Sequence, residues 1–164
     1  MPTNLVITAI NIRSLKVNSK KEFEKQLYFL LNLNSDILII TEANTTPPDW
    51  NRTALDFYRF ELSRMNFFLT EPDMHDYQRR GILILYKKNI NIKVVKIEQI
   101  NYNLVKIELE HNVMKLSIYG CYAPSDGNNH EYFLDMRRKT LEDENDEILL
   151  IGDMNTTLFQ VMDR

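Results

Sequence analysis

The sequence predicts a single α/β domain, residues 1–164, with a mixed β-sheet and helices packed outside it. Short apolar runs typical of buried strands, such as residues 36–40 and 148–151, are separated by segments of helical periodicity. The 164 residues are 44% apolar and include four Gly, which suits one folded core and excludes collagen-like or disordered chains. The middle of the chain holds several short strand candidates in succession, which indicates that the sheet is mixed.

The first part of the chain has a β-α-β pattern. Residues 4–10 are the first predicted strand. Ser19 and Glu22 have the spacing of a capping box, and apolar residues recur from Phe23 at the intervals of one helix face. Residues 36–40 are a second buried strand, expected to pair parallel to the first.

The rest of the chain is predicted as a loop, a meander and a final α-β unit. The segment from Asn44 to Asp56, with its two prolines, is predicted as a loop. A helix over residues 130–141 precedes a last strand over 148–151. The predicted strands between loop and helix are residues 57–62, 66–70, 82–86, 92–97, 104–109 and 113–119.

Composition excludes several functional classes. A lone cysteine, Cys121, excludes a disulfide scaffold and suits a reducing, intracellular setting. The longest clean apolar runs are about five residues, against the roughly 20 that cross a bilayer, so no membrane association is expected. The net charge of −3 argues against nucleic-acid binding through bulk charge. A basic cluster at residues 13–25 is compatible with a DNA backbone contact or with a solvated helix face.

Polar side chains follow the buried strands at the points where these strands end. Asn11 follows the first strand, Glu42 the second, and Asp153 with Asn155 the last. In open α/β sheets such positions collect into one crevice, the usual ligand site. A strand-end carboxylate is stabilised by a hard cation such as Mg²⁺. Each of these residues is also a common turn former or helix cap, and spacing alone leaves both readings open.

Four short motifs resemble, in order, those of the endonuclease/exonuclease/phosphatase superfamily. They surround Asn11 (TAINI), Glu42 (IITE), Tyr122 (YAPS) and Asp153 (GDMN). The stretch from Arg80 (RGILIL) also resembles a central strand of that family. The similarity extends from Ile7 to Asn155. Within the superfamily, the motifs most resemble those of the endonuclease domains of LINE-type, non-LTR retrotransposons.

The resemblance implies a two-sheet sandwich with outer helices and metal-dependent hydrolysis of phosphate esters. By position, Glu42 is implied to bind Mg²⁺, with Mn²⁺ as a substitute, and Asn11 to lie near the metal or the scissile phosphate. Tyr122 is implied to contact the phosphate. Asp153 is implied to orient or deprotonate the attacking water, and Asn155 to hold the phosphate or the nucleophile.

Three further positions are expected to contact substrate, and two of them depart from the family pattern. Arg13 stands where some relatives have an acid, Ser125 stands where many have Asn, and Arg80 precedes the central strand. Relatives also continue beyond the last motif with another metal-site Asp and a terminal Ser-Asp-His. His75, His111 and His130 all precede that motif. The second sheet is therefore expected to be incomplete and the chain to lack the family's C-terminal part.

The functional prediction is a divalent-metal-dependent phosphodiester hydrolase, most specifically a DNA-nicking endonuclease of a retroelement. DNA is the expected partner, with nuclear location if the element is eukaryotic. Self-association is expected through the surface left by the missing strands. Two alternatives stay open: a superfamily phosphatase or phosphodiesterase acting on a small or lipid substrate, and a truncated non-catalytic module for nucleic-acid binding or assembly.

Overall fold

The protein contains two four-stranded β-sheets, seen in a computed structural model that describes residues 4–71, 81–123, 129–145 and 147–155. The first sheet has the strand order β1-β2-β4-β3 and the second the order β5-β6-β7-β8. In these ranges the strands are β1 (Ile7–Asn11), β2 (Ile37–Thr41), β3 (Met65–Leu69), β4 (Leu83–Lys87), β5 (Lys93–Asn101), β6 (Leu104–His111), β7 (Met114–Tyr122) and β8 (Glu147–Asp153). The α-helices are α1 (Lys20–Asn32), α2 (Pro47–Trp50) and α3 (Asn129–Leu141). The mixed α/β class is confirmed.

Strand β2 lies at the centre of the first sheet and supplies side chains to two cores. It pairs parallel to β1, as predicted, and antiparallel to β4. All five of its residues are buried. Leu38 and Ile40 pack toward α1, whereas Ile37 and Ile39 pack toward the second sheet. A strand that is covered on both faces has a continuous run of apolar residues, so this element could be predicted from the sequence.

The second sheet is an antiparallel meander extended by one parallel strand. Strands β5, β6 and β7 pair in succession, and β8 pairs parallel to β7. Val105, Ile107 and Ile118 pack against the first sheet. At Gly120 the sheets come so close that an added Cβ would lie 2.9 Å from Cγ2 of Ile39. A side chain there would force the two layers apart.

Helix α1 covers the outer face of the first sheet with three fully buried side chains, Phe23, Leu27 and Leu30. The predicted capping box is wrong. Ser19 occupies the N-cap position without a side-chain hydrogen bond. Glu22 instead pairs with Lys25, one turn further along the helix, at 2.9 Å.

The segment after β2 is helical, which corrects two predictions. Residues 44–56 were expected to be a loop, but Thr46 caps α2 and a π-helical segment follows at Asn51–Leu55. Residues 57–62 were expected to be a strand, but they continue as helix and turns. The buried residues recur every four positions, the spacing of a helix face, and prolines suit the first helical turn. These residues are Trp50, Ala54, Tyr58 and Leu62.

Strand β8 is the outer strand of the second sheet and exposes apolar side chains. Ile148, Leu149 and Leu150 are 41%, 36% and 37% exposed. On the other side β8 pairs with β7 along seven residues. Within the described residues β8 is therefore an outer strand with an apolar exposed surface.

Candidate active site

Three strands end at one edge of the sandwich and bring their polar residues together there. Asn11 is the register partner of Thr41, so Glu42 comes one residue beyond it on the neighbouring parallel strand. In the second sheet Asp153 is the register partner of Tyr122. Asn11 Nδ2 donates to Asp153 Oδ2 at 2.7 Å, and this bond joins the outer strands of the two sheets.

A chain of hydrogen bonds fixes the side chains on both sides of that contact. Asn11 Oδ1 accepts the backbone N–H of Arg13 at 2.9 Å, which sets the orientation of the amide. Asp153 Oδ1 accepts the backbone N–H of Asn155 at 3.0 Å. Asn155 Nδ2 donates to the carbonyl of Ala123 at 2.6 Å. Each oxygen of Asp153 therefore has one partner here, and a carboxylate has further lone pairs with which to accept a proton from water.

Backbone strain concentrates at the same edge. Among the described residues, seven non-glycine residues have positive φ, and five of them follow β1, β2 or β8. Such conformations cost free energy and persist where the surrounding structure enforces them, often at functional sites. The five residues are Arg13, Ser14, Glu42, Asn44 and Asn155.

Glu42 lies on this strained backbone and has no ion-pair partner among the described residues. Its φ is 52°, and the next residue is held on both sides, since Ala43 donates to the carbonyl of Gly81 and accepts from Leu15. Within the described part of the chain the Glu42 side chain has no hydrogen bond or ion pair. The side chain is partly buried, so a charge there gains from a cation.

The donor set at this edge fits a hard divalent cation. Mg²⁺ binds oxygen, keeps several waters and needs one or two carboxylates together with substrate phosphates. Glu42 and Asp153 are carboxylates of this kind. No group of three or more His, Cys, Asp or Glu residues lies together in the described ranges.

Tyr122 ends β7 beside the Asp153 segment and is nearly buried. Its exposed fraction is 8%, and its backbone N–H donates to the carbonyl of Asn103 at 2.9 Å. The hydroxyl of Tyr132, on α3, donates to the same carbonyl.

Burial, with a smaller contribution from the charge of Asp153, raises the pKa of the Cys121 thiol to about 12. Cys121 is thus a neutral core residue and not a nucleophile.

The structure brings together some of the predicted site residues. Asn11, Asp153 and Asn155 are in hydrogen-bond contact, and Arg13 joins them through its backbone while its side chain is exposed. Ser125 and Arg80 lie outside the described residues, as does His75.

Sequence reasoning missed the carbonyl acceptors of Ala123 and Asn103, because a backbone acceptor leaves no trace in residue type. It also missed Gly152, where φ is +153° and an added Cβ would lie 1.9 Å from the carbonyl oxygen of Cys121. A glycine directly before a strand-end acid was the available signal.

Comparison with solved structures identifies the architecture. TDP2 of D. rerio complexed with a single-strand DNA product superposes with a TM-score of 0.61 at 17% identity, over 93% of this chain and 61% of that one. The endonuclease domain of TRAS1, a telomere-specific non-LTR retrotransposon, gives 0.58 at 12%, over 94% and 60%. An AP endonuclease from Archaeoglobus fulgidus gives 0.58 at 15%, over 93% and 58%. The chain has the endonuclease/exonuclease/phosphatase fold.

The endonuclease/exonuclease/phosphatase fold expected from the four motifs is therefore confirmed. The chain spans about three fifths of the length of these three structures. No family model and no curated protein matches the sequence. Among the described residues no helix is both long and apolar enough to cross a membrane.

Proposed function

We propose that this chain is a divalent-metal-dependent phosphodiester hydrolase that nicks DNA. The observation that carries the proposal is the 2.7 Å bond between Asn11 and Asp153, which orients a carboxylate at the strand edge. The same edge bears Glu42, whose side chain has no partner among the described residues. The fold supports it, because two of the similar structures are endonucleases. The similar TDP2 structure is a complex with a single-strand DNA product, which supports DNA as the substrate class.

In the proposed mechanism each side chain has one task. Glu42 would hold the cation, which would supply positive charge to offset the charge that develops on the phosphate. Asp153 accepts a proton from the attacking water, and Asn11 keeps the carboxylate oriented through its amide. Asn155, fixed by its bond to the carbonyl of Ala123, holds the phosphate or the water through its remaining amide groups. Tyr122 contributes its hydroxyl to a phosphate oxygen.

Substrate binding beyond the reacting phosphate is proposed for three residues. These residues are Arg13, Ser125 and Arg80, of which Arg13 is exposed beside Asn11. A guanidinium there would pair with a phosphate oxygen of the DNA backbone. The narrower proposal, a retroelement enzyme with nuclear location in a eukaryote, rests on the motif resemblance alone.

The test is nicking of supercoiled plasmid with Mg²⁺, Mn²⁺ or EDTA. We expect metal-dependent nicking that falls by about 100-fold or more in Asp153→Ala, because general-base catalysis contributes factors of about 10²–10⁴. Glu42→Gln is expected to lower activity and to remove the Mg²⁺ signal in calorimetry. Glu147→Gln, at the exposed far end of β8, is the matched control and should behave as wild type.

Other results would reject an assigned role or favour one of the two alternative functions. Nicking that is equal in wild type and Asp153→Ala would reject the assignment of the base. Phosphomonoester release from small substrates without nicking would favour the phosphatase alternative. Metal-independent DNA binding by a folded protein that never cleaves would favour the non-catalytic module.

We further propose that the apolar edge of β8 drives self-association. Exposed apolar strands at a sheet edge pair readily with other chains, and Ile148 and Leu150 are 41% and 37% exposed. Sedimentation velocity should show a concentration-dependent increase in mass that is lost in Ile148→Lys/Leu150→Lys. Val113→Lys, at a position 92% exposed outside this edge, should leave it unchanged. A monomeric wild type would contradict the proposal.

A further inference from the structure

Phe57 lies beside the start of α1, and Phe60, three residues further along the chain, is also exposed. Phe57 is 61% exposed and Phe60 is 88% exposed, although both rings are large and apolar. Lys20 Nζ lies 5.4 Å from the ring centroid of Phe57. We call these three residues the aromatic platform. Exposed aromatic rings next to cations are the elements with which proteins bind unpaired bases.

The platform is connected to the candidate active site through the segment that follows β1. The Tyr58 hydroxyl donates to the carbonyl of Lys20 at 3.2 Å, which fixes the helical segment against the start of α1. Between Arg13 and Lys20 lie seven residue steps, a span of at most about 25 Å. Leu15 donates to the carbonyl of Ala43, the neighbour of the proposed metal ligand.

Positive charge accumulates along the same path. Residues 13–25 contain five cations and two acids, whereas the whole chain has a net charge of −3. Of these cations, Lys25 is neutralised by Glu22. Within the described residues Arg13, Lys16 and Lys21 have no ion pair, so their charge is available to phosphates.

We propose that the aromatic platform binds unpaired bases of a single-stranded nucleic acid whose backbone runs along residues 13–21 from the active site. This inference rests on the proposed function and specifies its substrate as DNA with a single-stranded segment. A base face is accessible to a phenyl ring only when the base is unpaired and unstacked, and stacking of this kind tolerates any sequence. The charges of Arg13, Lys16 and Lys21, which have no ion pair among the described residues, favour an anionic chain over an apolar protein partner as the occupant.

The test is fluorescence anisotropy with a labelled oligothymidylate of about 12 nucleotides, in EDTA so that no cleavage occurs. We expect Phe57→Ala/Phe60→Ala to weaken single-strand binding about fivefold or more and to leave duplex binding within about twofold. Phe57→Trp/Phe60→Trp should retain affinity, since the larger ring also stacks. Phe29→Ala, which removes a 53% exposed ring further along α1, is the matched control.

The outcomes separate this inference from the proposed function. The proposed role of the platform would be contradicted if the alanine variant bound the oligonucleotide as tightly as wild type. It would also be contradicted if the variant lost affinity equally for single-stranded and duplex DNA, or if the wild-type protein did not bind the oligonucleotide. Absence of plasmid nicking would instead count against the hydrolase, because the anisotropy measurement needs neither metal nor cleavage.

Discussion

At the scale of single residues, the candidate site depends on one glycine that directly precedes its acid. Gly152 pairs with Cys121 in the β7–β8 ladder, and its φ of +153° is one that side chains rarely adopt. An alanine Cβ at this position would lie 1.9 Å from the Cys121 carbonyl oxygen, well inside contact distance. The backbone that aims Asp153 at Asn11 therefore tolerates no side chain here.

We expect Gly152→Ala to lower the free energy of unfolding by at least about 2 kcal/mol, from strain and steric overlap combined, and to reduce nicking. Urea denaturation measures the first effect. Gly81→Ala is the control, since φ is +120° there but the added Cβ would meet nothing closer than 3.6 Å. Equal losses in the two variants would show that the steric overlap at Gly152 is relieved by a backbone shift.

At the scale of elements, a polar cluster attaches the connection between α3 and β8 to the outer face of the second sheet. Asp143 accepts from the Tyr119 hydroxyl at 2.7 Å and pairs with Lys106 at 3.1 Å. Burial alone would raise the pKa of Asp143, but hydrogen bonds from Ser117, Tyr119, the backbone of Asn145 and Lys106 lower it to about 2. The connection that leads into the Asp153 strand is thus held by a charged carboxylate.

The lowered pKa predicts a pH dependence of stability. The folded-state pKa of Asp143 lies below its ordinary value of 3.8, so its contribution is full above about pH 4 and is lost as the pH falls through about 2. Asp143→Asn should cost about 1–3 kcal/mol near pH 6, with the difference from wild type shrinking toward pH 2. Urea denaturation across this range measures it. A difference independent of pH would contradict the ionised cluster.

Some helices and strands could be predicted from the sequence and others could not. Strand β2 was recognisable because burial on both faces gives an uninterrupted apolar run. The helical segment from Thr46 was missed, because its aromatic residues and prolines resemble a strand and a loop when judged locally. The four-residue spacing from Trp50 to Leu62 was the stronger signal. The aromatic residues that favoured a strand include Tyr58, which the helix buries.

At the scale of the whole molecule, the ordered motifs predicted the fold, and the polar residues that follow the buried strands predicted the edge at which they meet. They could not predict the pairing of Asn11 with Asp153, because that contact depends on how the two sheets lie against each other. The partial burial of Glu42, without a side-chain partner among the described residues, is likewise a property of the packed structure. The sequence alone indicated which residues belong to the site, whereas the packing of the two sheets determines the distances between their side chains.

The position of the Asn11–Asp153 bond has a consequence for how activity and folding are related. The amide belongs to the outer strand of one sheet and the carboxylate to the outer strand of the other. Sliding or separation of the layers by even one or two ångströms would break this bond without unfolding either sheet. The proposed general base would then lose its orientation, so inactivation is expected to be an early event when the protein is heated, ahead of the loss of secondary structure.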